Sequence, residues 1–209
     1  MNEKFAFINS LKGHYVNSGP SGAPTRGKTE VLPTGKNFYS IDSRGLPTES
    51  AWIVGSQSAS QIIDLYKQDQ GEDLKKIAIS VWATSTMRNG GEDICQLLYL
   101  LGVKPIWDGP SRRVIDLEII PLSILNRPRV DVTLRISGMF RDAFPQLISL
   151  THKAITLVSN LDEDTNLNPI LDSFKNNKSL NRIFGSAPGS YGAGPDSYTH
   201  LTLPTIYSV

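Results

Sequence analysis

One group of residues that could carry chemistry lies at positions 85–93, STMRNGGED, where hydroxyls, the guanidinium of Arg88 and two glycines precede two carboxylates. A guanidinium and free backbone N–H groups at a helix start can hold a carboxylate or a phosphate. An equally good interpretation is a capped helix start, in which Glu92 and Asp93 complement the helix dipole. The residues alone leave both interpretations open.

A second group lies at positions 134–142, LRISGMFRD, where a strand pattern ends. Arg135 is on the polar face of that strand, and Arg141 and Asp142 follow at the turn. Two arginines near one strand end suit carboxylate recognition, because each guanidinium can form a planar bidentate pair. Without other information, the group favours the alternative of an internal ion pair, either Arg141 with Asp142 or Arg135 with Asp131.

A third group, GAPTRGKT at positions 22–29, matches the phosphate-loop pattern letter for letter. That motif requires a buried strand before the loop and a helix after it, so that backbone N–H groups converge on the phosphates. The flanking sequences, VNSGPS before it and LPTG after it, fit neither element. We therefore predict an irregular Gly/Pro loop here and no nucleotide site.

Composition excludes several other classes of site. The chain has 209 residues, with 21 Lys and Arg against 20 Asp and Glu, three dispersed His and one Cys. Such a balance gives no general attraction to nucleic acid, and one Cys allows neither an internal disulfide nor a Cys-rich zinc site. No apolar stretch is long enough to span a membrane or to act as a secretion signal. We expect a cytoplasmic protein without a nucleic-acid partner.

The elements that must position these groups follow from hydrophobic periodicity. A helix ending at Gly71, a strand, a polar turn, a second helix ending at Gly102 and another strand together predict a βαβ unit, and hence an α/β fold with Rossmann-like units and a mainly parallel sheet. Trp52, Trp82 and Trp107 are expected in the core or in a cleft wall, and Cys95 as a packing thiol. The other predicted elements are strands at 77–82, 103–107, 114–120 and 130–136, a turn at 83–91 and a helix at 144–158.

Three regions are predicted along the chain. Residues 1–55 form a long irregular Gly/Pro-rich segment that lines or packs on the rest, and residues 56–194 form the α/β domain. Residues 195–209 form an atypical tail, for which a frameshifted or foreign origin is one explanation.

A series of short motifs resembles one family, the large subunit of the aerobic cobaltochelatase, which is related to the porphyrin-binding large subunit of magnesium chelatase. The motifs keep the family order and extend to Gly194. The cobalt branch is favoured over the magnesium branch by TLRISG at 133–138 and by Asn168 followed by Pro169. The matching strings are GPSGAPTR (19–26), LPTGKNFY (32–39), GGEDI (90–94), LLGVKPIWD (100–108), RPRVDVTLRISG (127–138), FRDAFP (140–145), RIFGS (182–186) and GAG (192–194).

The resemblance implies ATP-dependent insertion of Co²⁺, as a substrate, into hydrogenobyrinic acid a,c-diamide during aerobic cobalamin biosynthesis. It implies a large subunit that binds the corrinoid tetrapyrrole, and separate AAA+-type subunits that use ATP and Mg²⁺. Family members are many times longer, so the chain resembles an interior segment that is inactive alone. Two alternatives remain: a magnesium–protoporphyrin chelatase subunit, or a non-catalytic scaffold that docks the ATPase subunits.

Metal insertion needs a group that accepts ring N–H protons and cations that hold the peripheral carboxylates. Within the matching strings and beside them, Glu92 and Asp142 are the candidate catalytic residues. The metal ligands are not identified by the sequence and could lie outside the chain. The candidate substrate-binding residues are Lys36, Asn37, Arg88, Arg135 and Arg141.

Overall fold

The computed structural model describes residues 2–20, 22, 31–35, 42–177, 179–189 and 207–208. It divides into two compact units, Met1–Asp42 and Ser43–Val209. In the first unit, helix α1 (Asn2–Leu11) exposes large apolar side chains such as Phe5 and Phe7. The candidates Lys36 and Asn37, and the phosphate-loop-like stretch apart from Gly22, lie outside the described residues.

Helix α2 (Glu49–Gln70) begins the regular part of the second unit. Thr48 caps it, because the threonine hydroxyl accepts a hydrogen bond from the Ala51 N–H at 3.1 Å. Gly71 ends it in the left-handed conformation, as predicted. Helix α1 and the start of α2 both lie within residues 1–55, which were predicted to be irregular, so that part of the prediction is wrong at these two helices.

A four-stranded sheet has the order β1-β4-β5-β6. Neighbouring strands β1 and β4, and β4 and β5, run parallel, and β6 pairs antiparallel with β5. The predicted α/β class with a mainly parallel sheet is therefore confirmed. The strands are β1 (Lys76–Val81), β4 (Asp131–Ile136), β5 (Ile183–Gly185) and β6 (Tyr207–Ser208).

Two further strands, β2 (Val103–Trp107) and β3 (Val114–Ile119), form a separate antiparallel pair. The βαβ unit predicted from the strand at 77–82 to the strand at 103–107 is therefore wrong, because periodicity identifies a strand but not its neighbour. The chain instead runs from β1 through helices α3 and α4, the β2–β3 pair and helix α5 before it reaches β4. These helices are α3 (Ala83–Asn89), α4 (Glu92–Leu101) and α5 (Leu122–Leu125).

The polar turn predicted at 83–91 is also wrong, since α3 occupies most of it. Gly90 and Gly91 both have positive φ angles, which end α3 and start α4. Both glycines also lie against the chain before α2: an added Cβ would be 2.8 Å from the Thr48 hydroxyl at Gly90, and 3.1 Å from Pro47 at Gly91. Two adjacent glycines thus allow a short helix where the sequence predicted a turn.

Helix α4 lies at the centre of the core. It packs against the sheet, against α2 and against α7 (Pro145–Ser159), so most of its side chains are buried rather than one stripe of them. Gly55 of α2 lets the two helices approach closely, since an added Cβ would be 2.6 Å from the Glu92 carbonyl and 2.7 Å from Cys95 Cβ. Helices α6 (Gly138–Ala143) and α8 (Pro169–Asn177) complete the described α-helices, and a short 3-10 helix (Ser43–Gly45) precedes α2. The buried residues of α4 are Ile94, Cys95, Leu97, Leu98, Leu100 and Leu101.

A fully buried arginine, Arg129, holds the turn after α4 in place. Its Nε and Nη2 atoms donate to the Glu163 carboxylate at 2.7 and 2.8 Å, and Nη2 also donates to the Ile120 carbonyl. Its Nη1 donates to the Leu101 and Gly102 carbonyls at 3.0 Å. All five N–H donors of the guanidinium are thereby used, which is the condition under which a buried charge is tolerated.

Candidate functional site

One face of the parallel sheet is exposed along β1 and at the carboxyl end of β4, whereas Asp131, at the start of β4 on the same face, is buried. Side chains alternate along β4, so Val132, Leu134 and Ile136 are buried, while Arg135 on the other face is exposed. On the paired strand β1, Ser80 is opposite Arg135 and is also exposed. Parallel sheets in α/β proteins are normally covered on both faces. The exposed residues of this face, here called the open face, therefore mark a surface that is available for contact.

A small cleft lies at the carboxyl end of the open face, and we call it the strand-end cleft. It is shallow, and the roughly 230 Å³ of empty space beside its lining residues includes open solvent. Ligands in open α/β sheets bind outside the carboxyl ends of the strands, so this is where a site is expected from topology. The cleft is lined by Ser80, Val81 and Trp82 from β1 and its end, and by Arg135, Ile136 and Ser137 from β4 and its end.

Arg135 is the predicted site residue that lines this cleft. Its register neighbours are Ser80 on β1 and Phe184 on β5, so a guanidinium, a hydroxyl and an aromatic ring share one face of three adjacent strands. The predicted alternative, an Arg135–Asp131 ion pair, is wrong. Asp131 instead accepts two hydrogen bonds from Arg182, at 2.6 and 3.0 Å.

Ser137 adds a hydroxyl to the cleft and is 8% exposed. It caps α6, because its Oγ accepts a hydrogen bond from the Phe140 N–H at 3.2 Å. A hydroxyl that accepts through a lone pair still has its own proton to donate. Its backbone N–H donates to the Val81 carbonyl at 3.2 Å, which joins the ends of the two strands.

Arg141 and Asp142 form the internal ion pair that was the predicted alternative. Arg141 Nε and Nη2 donate to the two Asp142 carboxylate oxygens at 2.7 and 3.0 Å. Its Nη1 donates to the carbonyls of Ser186 and Ala187, which follow β5. All three guanidinium nitrogens thus donate within the chain. The contacts tie α6 to the end of β5, at the same edge of the sheet as the strand-end cleft.

The group at 85–93 forms a capped helix start, as the second of its two interpretations predicted. Asn89 Oδ1 accepts hydrogen bonds from the N–H groups of Gly91 and Glu92 at 2.9 and 3.3 Å, so a side chain already fills the position that an anion would take. Burial raises the pKa of the neighbouring Asp93 carboxyl. Arg88 is exposed at the end of α3, and Glu92 is half-buried at the start of α4.

The three tryptophans fall into two environments. Trp52 and Trp107 are partly buried in an aromatic cluster, with ring centroids 6.5 Å apart, and Trp107 Nε1 donates to the Pro47 carbonyl at 2.8 Å. Trp82, in the strand-end cleft, is 45% exposed. Trp52 and Trp107 thus pack in the interior, and Trp82 lies in a cleft wall, as expected. Cys95 was predicted to be a packing thiol, and this is confirmed, because it is fully buried and desolvation raises its pKa.

Two further observations limit the chemistry of the described part of the chain. Among the residues described there, no group of three or more His, Cys, Asp or Glu side chains could hold a metal ion. None of the helices in that part is long and apolar enough to span a bilayer. The lining of the strand-end cleft contains one guanidinium, two hydroxyls and one indole ring. Such groups suit a ligand that combines a carboxylate with an apolar surface.

Comparison with known proteins gives a consistent result. The family model for CobN/Magnesium Chelatase matches residues 1–200. The aerobic cobaltochelatase subunit CobN of Pseudomonas aeruginosa is 49% identical over 88% of this chain, and the Sinorhizobium sp. subunit is 48% identical over 91%. The chloroplastic magnesium-chelatase subunit ChlH of Oryza sativa subsp. japonica is 33% identical over 88%.

A solved structure is also similar, the catalytic subunit of cobaltochelatase from Mycobacterium tuberculosis. It matches 95% of this chain with a TM-score of 0.77 and 41% identity. The chain covers only 16% of the length of the two cobaltochelatase relatives and 18% of the solved chain.

Proposed function

The chain belongs to the CobN/Magnesium Chelatase family, and from this we propose that it is a segment of the large subunit of an aerobic cobaltochelatase. The observation that carries the cobalt assignment is the difference in identity: 49% with the Pseudomonas aeruginosa cobaltochelatase subunit against 33% with the rice magnesium-chelatase subunit, each over 88% of the chain.

The reaction that we propose for the whole subunit is insertion of Co²⁺ into hydrogenobyrinic acid a,c-diamide on the aerobic route to cobalamin. Co²⁺ becomes bound by the ring nitrogens, and the N–H protons that it displaces pass to a base. We propose that AAA+-type partner subunits hydrolyse ATP with Mg²⁺ to drive this step, and that the reaction takes place in the cytoplasm. This segment itself needs no nucleotide site.

Within the segment, we propose that the strand-end cleft holds one edge of the tetrapyrrole. Arg135 binds a peripheral carboxylate, and the Ser80 and Ser137 hydroxyls can donate to the same group. The support is the position of these three side chains in one cleft at the carboxyl end of parallel strands. Arg88 stays a candidate for a second carboxylate, because it is exposed. Lys36 and Asn37 also stay candidates from the sequence.

Of the two predicted proton acceptors, Glu92 is the better candidate. Asp142 already accepts two hydrogen bonds from Arg141, and proton transfer to that carboxylate would break a bidentate pair. The Glu92 carboxylate, which is half-buried, has no ion pair among the described residues. We propose that Glu92, or a residue elsewhere in the subunit, accepts the displaced ring protons.

The test is a binding titration with the complete large subunit that carries this sequence. Arg135→Gln should raise the Kd for hydrogenobyrinic acid a,c-diamide by about 10- to 100-fold, because a hydrogen bond to a charged group contributes about 1.5–3 kcal/mol. Lys104→Gln is the matched control, since Lys104 is an exposed cation on the separate β2–β3 pair. Its Kd should be unchanged.

Two outcomes would point to the alternative functions. A clear preference of the unmodified subunit for protoporphyrin over the corrin substrate would refute the cobalt assignment. A normal Kd in Arg135→Gln, together with weaker association of the ATPase subunits, would instead support the scaffold alternative. One observation favours the scaffold alternative. The guanidinium groups of Arg129 and Arg141 already donate hydrogen bonds within the chain, so fewer cations of this segment remain to bind substrate carboxylates.

A further inference from the structure

Strand β1 lies at the edge of the described sheet, with β4 as its neighbour on one side. The Lys75 carbonyl accepts a hydrogen bond from the Asp131 N–H at 2.8 Å, and the Val81 carbonyl accepts one from the Ser137 N–H at 3.2 Å. Because the backbone groups of successive residues in a strand point to opposite sides, the odd-numbered residues of β1 bond to β4. The backbone groups that point away from β4 are those of Lys76, Ala78 and Ser80.

This outer edge of β1 is unusually accessible for an edge strand. Within the described residues, none of its three outward-pointing residues forms a backbone hydrogen bond with a loop or turn, and all three are exposed. Natural edge strands are normally protected by proline, by a bulge, by several charges or by short length. Strand β1 is six residues long, pairs with β4 without a register shift, and has one charged residue, Lys76, at its first position. These are the features of an internal strand.

The core face of β1 is also incompletely covered. Val132 and Leu134 of β4 are fully buried, whereas their register partners on β1, Ile77 and Ile79, are partly exposed. The two strands differ in their neighbours, since β4 has a described strand on each side and β1 has one on one side. A further strand beside β1, together with its connecting segment, would remove the remaining apolar surface of both isoleucines from water.

We infer that β1 is an internal strand of the complete large subunit, and that a strand from the part of the subunit outside these 209 residues pairs with its outer edge. The chemistry of the edge determines the kind of partner, because a row of backbone N–H and C=O groups is matched by an extended backbone. The length of the relatives indicates its source, since the chain covers 16% of the two cobaltochelatase subunits and 18% of the solved chain.

A competing partner is β1 of a second copy, since two identical edges can pair about a two-fold axis. A strand of the same polypeptide is favoured, because the connecting chain keeps it at a high effective concentration near the edge, whereas a second copy has to bind from dilute solution. This inference uses the family membership and the strand geometry. It depends neither on the cobalt assignment nor on the role proposed for the strand-end cleft.

The first measurement is hydrogen exchange of individual amides in the complete large subunit that carries this sequence. The outward-pointing amides of Ala78 and Ser80 should exchange at least about 100-fold more slowly than unstructured amides, because a paired amide exchanges only when the sheet opens locally. The Ile77 and Ile79 amides, which point to β4, are the internal reference for a paired strand. A smaller protection of Ala78 and Ser80 would mean that the edge is open, and it would overturn the inference.

The second measurement identifies the partner by photo-cross-linking in the same complete subunit. The photoreactive residue p-benzoylphenylalanine replaces Ala78 in one variant and Lys76 in another, since both side chains are exposed and neighbouring strands lie about 4.8 Å apart. Mass spectrometry should locate the cross-link in a peptide outside these 209 residues, and the product should keep the mass of one subunit on a denaturing gel. The matched control carries the same replacement at Lys104, an exposed residue of the β2–β3 pair, and should not label that peptide.

Every other cross-linking result contradicts the inference. A product of twice the subunit mass would identify a second copy as the partner, and a cross-link to an ATPase subunit would identify a partner protein. A cross-link to another part of these 209 residues, or none from either variant, would also overturn it. Neither measurement uses the tetrapyrrole, so the inference and the proposed function can fail independently.

Discussion

Replacing Arg129 by methionine should destabilise the chain far more than any single surface substitution. Methionine keeps most of the length of the side chain but removes five N–H donors and one charge. The Glu163 carboxylate, which is 15% exposed, then loses both of its bonds to the guanidinium. The Leu101 and Ile120 carbonyls lose a donor as well, whereas the Gly102 carbonyl keeps its bond from the Ile120 N–H.

The magnitude follows from these losses. Removing one partner of a buried ion pair typically costs about 3–5 kcal/mol, because the other charge stays buried. Each carbonyl left without a donor adds about 1 kcal/mol, although such contributions are not strictly additive. We therefore expect the free energy of unfolding to fall by about 4 kcal/mol or more. For a chain of this size, that loss corresponds to a decrease in Tm of about 8–16 °C.

The assay is urea denaturation of the 209-residue chain, followed by circular dichroism. Lys153→Met is the matched control, since Lys153 forms an ion pair of similar length, 2.8 Å, with Asp116, but both side chains are about half exposed. Its unfolding midpoint should change little, because exposed ion pairs contribute little. Arg129→Met combined with Glu163→Leu should cost less than the two single changes together, by about 1–3 kcal/mol. A loss in Arg129→Met no larger than in the control would refute this account of the buried arginine.

Three further predictions concern α2 and α4. Gly55→Ala should destabilise the chain by about 1–3 kcal/mol in urea denaturation, despite a gain in helix propensity of about 1 kcal/mol, because the new methyl group would overlap α4; a stabilised variant would contradict the close approach. Cys95 should not react with an aromatic disulfide reagent at about pH 8 in the folded chain, because it is buried and its pKa is raised; one thiol should react after denaturation, and rapid reaction in the native state would be inconsistent with its burial. Burial also raises the pKa of Asp93, so its contribution to stability is complete below the unfolded pKa and is lost as the pH rises through the higher folded pKa. The Tm of Asp93→Asn should therefore rise relative to that of the unmodified chain between about pH 4 and about pH 6, and a difference in Tm that stays constant over this range would argue against the shift.

The sequence predicted the elements of the fold better than their arrangement. Hydrophobic periodicity located the strands that became β1 to β4 and the helices that became α2, α4 and α7, and Gly71 and Gly102 marked two helix ends. Strand pairing was not accessible in the same way, because β2 has the same apolar pattern whether its partner is β1 or β3. The helical conformation of α3 was missed, since polar residues bounded by two glycines are also typical of a turn.

For the candidate site, contacts between neighbours in sequence were predictable and distant ones were not. The Arg141–Asp142 pair joins adjacent residues, and their order alone suggested it. Arg129 and Glu163 are 34 positions apart, and Asp131 and Arg182 are 51 apart. No spacing rule in a single sequence connects such pairs. The position of Trp82 depended on the strand order, which places the ends of β1 and β4 side by side.

The parallel pairing of β1 with β4 has a consequence for how this chain folds during synthesis. Lys76 pairs with Asp131, and the residues between them form three helices and the β2–β3 pair. Contacts between residues so distant in sequence close slowly, because loop-closure entropy is lost before the pairing compensates for it. While the ribosome is still making this connection, β1 has no partner, and its KIAISV strand is exposed to neighbouring nascent chains. The yield of folded protein is thus expected to depend on how soon β4 emerges.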